Sequence, residues 1–179
     1  MGQTINFEVR RAGPADVDDM AAAHLDSIRS IGAAYYDATI VRDWADRVTS
    51  DIYVKAMARG EVFWVAIGPG DDRPEVLGFS SHRIDGREHG TSVYVRGSAA
   101  RLGIGTALFR SAEAAAVAAG AASLVIDASL AALEFYKANG FEEVGRGAHR
   151  LSSGRAMPCV FMRKTLADTN SRRETAPHE

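Results

Sequence analysis

Val93-Tyr94-Val95-Arg96-Gly97-Ser98-Ala99-Ala100-Arg101-Leu102-Gly103-Ile104-Gly105-Thr106-Ala107-Leu108 reads as the end of a strand, a short loop and the start of a helix. The strand covers residues 89–96, where β-formers alternate with small and polar residues. The helix starts near Gly103 and ends at Gly120, a good C-cap residue. A helix start leaves about four backbone N–H groups without partners and carries roughly half a positive charge. Glycines bare those donors to a bulky anion, so the stretch has the design of a phosphate cradle.

Other glycine motifs do not fit. A P-loop needs Gly-x-x-x-x-Gly-Lys-Ser/Thr, and the chain has no such run. The dinucleotide fingerprint needs a third glycine, where Leu108 stands. The serine-hydrolase elbow is half present at Gly78-Phe79-Ser80, with His82 in place of its last glycine. Zinc motifs such as HExxH are absent, and no metal is expected.

Working outward, residues 5–11 alternate as a half-buried strand. Pro14, with Asp16, Asp18 and Asp19 behind it, opens a helix that runs to about Ile31. A second helical stretch covers 38–58 and breaks near Ser50. Strands follow at 61–67 and 75–83, separated by a Gly/Pro/Asp turn, and Asp85-Gly86 marks a hairpin before 89–96. After the helix of 103–120 come a short buried strand at 123–127, a helix from Ser129 to Asn139 and a closing strand pair at 141–150 and 157–164. The order predicts an α/β fold, one domain over 1–166 around a mixed sheet, with a disordered polar tail at 167–179.

The 179 residues suit one domain with a real core. A net charge of −2 argues against nucleic-acid partners, which need a basic patch. The single cysteine, Cys159, rules out an intramolecular disulfide and fits a reducing compartment. Residues 1–5 show no signal peptide, and the apolar stretch 114–126 is too short to span a bilayer. A cytoplasmic protein without membrane contact is expected.

Two glycines alone would read as an ordinary helix-start turn. A second motif lies about thirty residues on: Ser129-Leu130-Ala131-Ala132-Leu133-Glu134-Phe135-Tyr136-Lys137-Ala138-Asn139-Gly140-Phe141. Ser129, Ala132 and Tyr136 share one helical face. Together, residues 101–108 (RLGIGTAL) and 129–141 resemble the two motifs of the GNAT acetyltransferases, in order and at the family's spacing. The resemblance covers roughly residues 5–166 and is strongest over 93–141. Two departures stand out: Ala100 falls where the family has Gln or Arg, with Arg101 one place later, and Ser129 falls where Asn is usual.

The resemblance implies a GNAT fold of about seven strands flanked by about four helices, and acetyl-CoA as acyl donor. It implies that Tyr94, Val95, Arg101, Leu102, Gly103, Ile104, Gly105, Thr106, Ser129 and Ala132 hold the donor, and that Tyr136 protonates the departing thiolate. A base must strip the acceptor amine, which is protonated at neutral pH. Counting back eleven residues from Ala100 reaches His89, with Glu88 beside it; His89 is preferred, and a water chain is the alternative. His24, Arg29, Tyr35, Tyr36, Trp44 and His82 are the candidates for an acceptor pocket. The acceptor is expected to be a small amine. A protein or peptide acceptor, or an acyl-CoA sensor without turnover, stands beside that reading. The resemblance also allows a homodimer.

Overall fold

The structure, a computed structural model, describes residues 5–166; the tail expected at 167–179 lies outside the described residues. Its strands are β1 (Glu8–Arg11), β2 (Val62–Gly68), β3 (Glu75–Arg83), β4 (Glu88–Val95), β5 (Ser123–Ser129), β6 (Glu142–Arg150) and β7 (Ala156–Thr165). They form one seven-stranded sheet in the order β1-β2-β3-β4-β5-β7-β6. Every neighbouring pair is antiparallel except β4 and β5, which are parallel. A parallel pair needs a crossover, and the helix that begins on the glycines supplies it.

The helices are α1 (Val17–Ser30), α2 (Ala38–Ala45), α3 (Ser50–Ala58), α4 (Ile104–Ala118) and α5 (Leu133–Ala138). The stretch expected at 38–58 is therefore two helices. Asp37 starts α2 by accepting from the N–H groups of Thr39 and Ile40, both at 2.9 Å. The extended backbone of Thr49 (φ −132°, ψ 160°) then separates it from α3. The last helix also starts later than its sequence suggests. Ser129 closes β5, and a single 3-10 turn (Leu130–Ala132) precedes α5.

Helices cover both faces of the sheet. α1 buries Val17, Met20, Ala21, His24 and Ile28, a three- and four-residue spacing that draws one stripe down the helix. That stripe packs with Tyr53 of α3 on Phe63, Val65 and Phe79. On the opposite face, Phe109 and Ala116 of α4 and Tyr136 of α5 pack on Leu124, Ala128, Val160 and Met162. Ser80 pins α4 to the sheet by donating to the Leu108 carbonyl at 2.8 Å.

Strand alternation then sorts the side chains of β4. Val93 joins the α4–α5 core and Tyr94 joins the α1–α3 core. His89, Thr91 and Val93 thus face α4, while Gly90, Ser92 and Tyr94 face α1. No described helix is long and apolar enough to cross a membrane.

Candidate active site

The sheet opens along one seam. β4 and β5 pair only from Glu88↔Ser123 to Gly90↔Val125, yet both strands run on, to Val95 and Ser129. Each is held on its outer side: β4 by β3 as far as Gly78↔Val95, and β5 by β7 as far as Ser129↔Cys159. The Arg96 N–H donates to the Leu77 carbonyl at 2.8 Å, which sets the phase of the β3–β4 ladder. Alternation then turns the backbone groups of Thr91, Val93 and Val95 away from β3 and into the seam.

A cleft of about 360 Å³ fills this opening. From the α4–α5 side it is lined by Thr91, Val93, Ala132 and Tyr136. From the α1–α3 side it is lined by Ser81, Arg83, Ser92, Tyr94 and Trp44, with Asp127 of β5, His149 of β6 and Met157 of β7 on the opposite wall. It therefore joins the two faces of the sheet. Its roof is tied down at several points. Asp43 of α2 pairs with Arg155 and accepts from Ser153, and this pairing holds the Asp43 carboxyl below its ordinary range.

Tyr136 sits at the inner end of the cleft and is only 2% exposed. Burial raises its phenol above the ordinary tyrosine value, and nearby Tyr94 adds to the rise. The nearby Val93 backbone opposes them. The phenol is therefore a proton donor throughout the neutral range. Burial likewise pushes Tyr94 up to about 12, with Tyr36 adding to it.

The loop before α4 lies at the far end of β4. Gly103 has φ +82° and Arg101 φ +63°, a conformation that is rare without glycine. Among the described residues, no protein acceptor takes the N–H groups of residues 102–106. The first bond into the helix is Ala107 N–H to the Gly103 carbonyl, 3.0 Å. Residues in left-handed conformation interleaved with others turn consecutive N–H groups to one side, a geometry that suits anions. Gly105 serves a different need from bareness alone: a Cβ there would lie 3.0 Å from the Phe135 ring. Its absence lets α5 lean on α4. Ile104 is fully buried and offers only its backbone, while Val95 and Leu102 pack around it. The loop is also fastened from α1. The Asp26 carboxylate accepts from the Gly97 N–H at 2.7 Å, and a Cβ on Gly97 would collide with Ser30.

The candidates expected from sequence divide clearly. Tyr136, Tyr94, Ser129, Ala132 and Trp44 line the cleft. His89 does not, which corrects the expectation of a base there. Its face of β4 is covered by α4, the ring is 2% exposed, and its Nδ1 lies 2.7 Å from Nε2 of His82. His82 is corrected with it, being the buried partner of that pair; burial, then His89, holds its imidazole below the ordinary value. Glu88 is taken by Arg163.

His24 lies in the α1–α3 core, bonded to the Tyr53 hydroxyl at 2.7 Å, and burial depresses it to about 3, so it stays neutral. Tyr36 is a latch rather than an acceptor contact: its hydroxyl donates to the Pro158 carbonyl at 2.8 Å and accepts from the Leu130 N–H at 2.7 Å. Tyr35 is exposed and off the cleft, and Arg29 lines a separate hollow beside α2. Sequence reasoning missed Glu61, Arg83, Asp127 and His149, which bring two carboxylates, a guanidinium and an imidazole to the cleft. No motif marks them; only the strand register brings them together.

A strand seam opened beside a glycine-started helix, with a tyrosine at its inner end, defines a class. The family model "Acetyltransferase (GNAT) domain" matches residues 33–166. The chain belongs to the GNAT acetyltransferase family. It is an acyl-CoA-dependent N-acetyltransferase, and acetyl-CoA is its acyl donor. Solved structures share its fold. The GCN5-related N-acetyltransferase "Aminotransferase, Class-II" of Rhodopseudomonas palustris is 25% identical, with a TM-score of 0.76, over 93% of this chain and 100% of that one. The PaiA N-acetyltransferase of Thermoplasma acidophilum, in complex with coenzyme A, is 16% identical with a TM-score of 0.69, over 90% and 100%. YncA of Salmonella typhimurium, with acetyl-CoA, is 20% identical with a TM-score of 0.67, over 97% and 98%. A sequence search of curated proteins finds no match.

Proposed function

We propose that this protein moves the acetyl group of acetyl-CoA onto the primary amine of a small molecule by direct attack on the thioester. The observation that carries this reading is the seam between β4 and β5, whose cleft the Tyr136 phenol lines, with free N–H groups at the start of α4 beyond the end of β4. The N–H groups of residues 102–106 hold the diphosphate, with Arg101 exposed beside them. The pantetheine arm passes between β4 and β5 over Ser129 and Ala132. A backbone N–H of β4 turned into the seam, Val93 being the nearest to the phenol, stabilises the carbonyl oxygen as it gains charge. Tyr136 gives its proton to the departing thiolate.

Direct attack is favoured over an acyl-enzyme by the cleft's own groups. The hydroxyls of Ser81 and Ser92 bond each other at 2.8 Å rather than a histidine, and Cys159 is buried off the cleft. A small acceptor is favoured by the roof, since Trp44 and the latched α2 segment cover the α1–α3 side. The one cysteine, unpaired, suits a cytoplasmic setting.

Thiol release from acetyl-CoA against a broad panel of small amines tests the reading. Release with at least one amine, and acetylation of its nitrogen by mass spectrometry, is the expected result. Tight coenzyme A binding without release for any amine would favour a sensor instead.

A further inference from the structure

The acceptor end of the cleft carries an arrangement that the donor chemistry does not use. Phe63↔Ser81 and Val62↔His82 fix the β2–β3 register, and one step further sets Glu61 opposite Arg83. Phe63 and Phe79 point into the α1–α3 core, so alternation puts Glu61 and Arg83 on that same face. Both line the cleft. Among the described residues neither side chain makes a hydrogen bond or ion pair, with each other or with anything else.

Arg83 has a seat made for it. Its cross-strand partner is Gly90, the last residue of β4 to pair with β5 before the seam opens. A Cβ on Gly90 would lie 2.7 Å from a guanidinium nitrogen of Arg83. The missing side chain leaves room for the guanidinium to lie across the strand where β4 and β5 begin to part. Glu61 stands near Tyr53 of α3. Burial raises the Tyr53 phenol, and the neighbouring Tyr94 and Glu61 add to that rise. On the facing wall stand Asp127 and His149, 4.0 Å apart. Among the described residues, Arg83 is thus the one arginine of the cleft, set among two carboxylates.

We propose that the acceptor is an amino-acid-type zwitterion, its carboxylate held by Arg83 and its ammonium received by Glu61. A planar guanidinium matches a carboxylate with two parallel bonds. A group with two negative charges would meet Glu61 and Asp127, so a single carboxylate fits best. This inference rests on the transfer reading above and gives it a base. The ammonium passes one proton to Glu61. The freed lone pair forms the N–C bond, the C–S bond breaks, and the thiolate takes the Tyr136 proton. The second nitrogen proton restores the phenol, and Glu61 returns its proton to solvent.

The test uses matched pairs: amino acids and the same amines with hydrogen in place of the carboxylate. Wild-type enzyme is expected to favour the amino acid of a productive pair at least ~10-fold in kcat/KM. Arg83→Gln is expected to raise KM for the amino acid ~10- to 100-fold with little change in kcat. It leaves the decarboxylated partner unchanged, and Arg83→Lys recovers part of the loss. Equal turnover of both partners by wild type, or an equal loss for both in Arg83→Gln, overturns the inference and leaves the transfer reading standing. No thiol release with any member of either set overturns the inference; silence from every amine of the broad panel as well removes both.

Discussion

Replacing Tyr136 by Phe is expected to lower kcat about 100-fold while coenzyme A affinity stays within about threefold. The substitution removes one oxygen and keeps the ring. Phe135 and Phe141, each with ring centroids 5.1 Å from that of Tyr136, keep their packing. On the proposed mechanism, what is lost is the proton for the leaving sulfur. General-acid assistance ranges over roughly 10²–10⁴-fold, and a thiolate needs less help than an alkoxide, so the low end applies. About 100-fold corresponds to about 2.7 kcal/mol of transition-state stabilisation. The pH profile carries the sign of the same claim. The proposed role requires the acid form of the phenol, and its pKa lies above the ordinary tyrosine value. Tyr136 therefore contributes no alkaline loss of rate through pH 9. Steady-state kinetics across pH, with coenzyme A titrations on both proteins, check both statements. An unchanged kcat in the Phe variant would take the phenol out of the reaction.

Ala132→Trp is expected to cost about 100-fold or more in coenzyme A affinity, about 2.7 kcal/mol at 100-fold. Ala132 ends the 3-10 turn before α5 and lines the cleft from the α4–α5 side. A large ring there fills the width proposed for the pantetheine arm. The residue is only partly buried, so the indole can take the place of the arm without breaking the core. The thermal midpoint is expected to stay close to wild type. Calorimetric titration and a thermal melt on one preparation separate a plugged cleft from a damaged fold. Undiminished affinity in a folded variant would route the arm elsewhere.

Much of this was legible because local rules and tertiary packing agree. The glycines at 103 and 105 mark a helix start by backbone freedom, and the helix starts there. The face shared by His89, Thr91, Val93 and Val95 follows from strand alternation. Which layer covers that face does not, because that depends on where α4 lands after its crossover. The expected base therefore turned out to lie beneath α4, bonded to His82. Tyr36 and His24 went the same way: each has the chemistry of a pocket residue, and each hydrogen-bonds partners far along the chain. Glu61 and Arg83 stand at strand ends with no motif around them. The β2–β3 register makes them neighbours, and register is set by pairing. The break between α2 and α3 was visible near Ser50, but its extended residue, Thr49, was not.

The most direct measurement is an experimental structure with coenzyme A bound. The diphosphate should rest on the N–H groups of residues 102–106, and the sulfur should lie within about 3.5 Å of the Tyr136 oxygen, between β4 and β5. Coenzyme A bound elsewhere, or a sulfur remote from that oxygen with β4 and β5 closed on each other, would contradict the account.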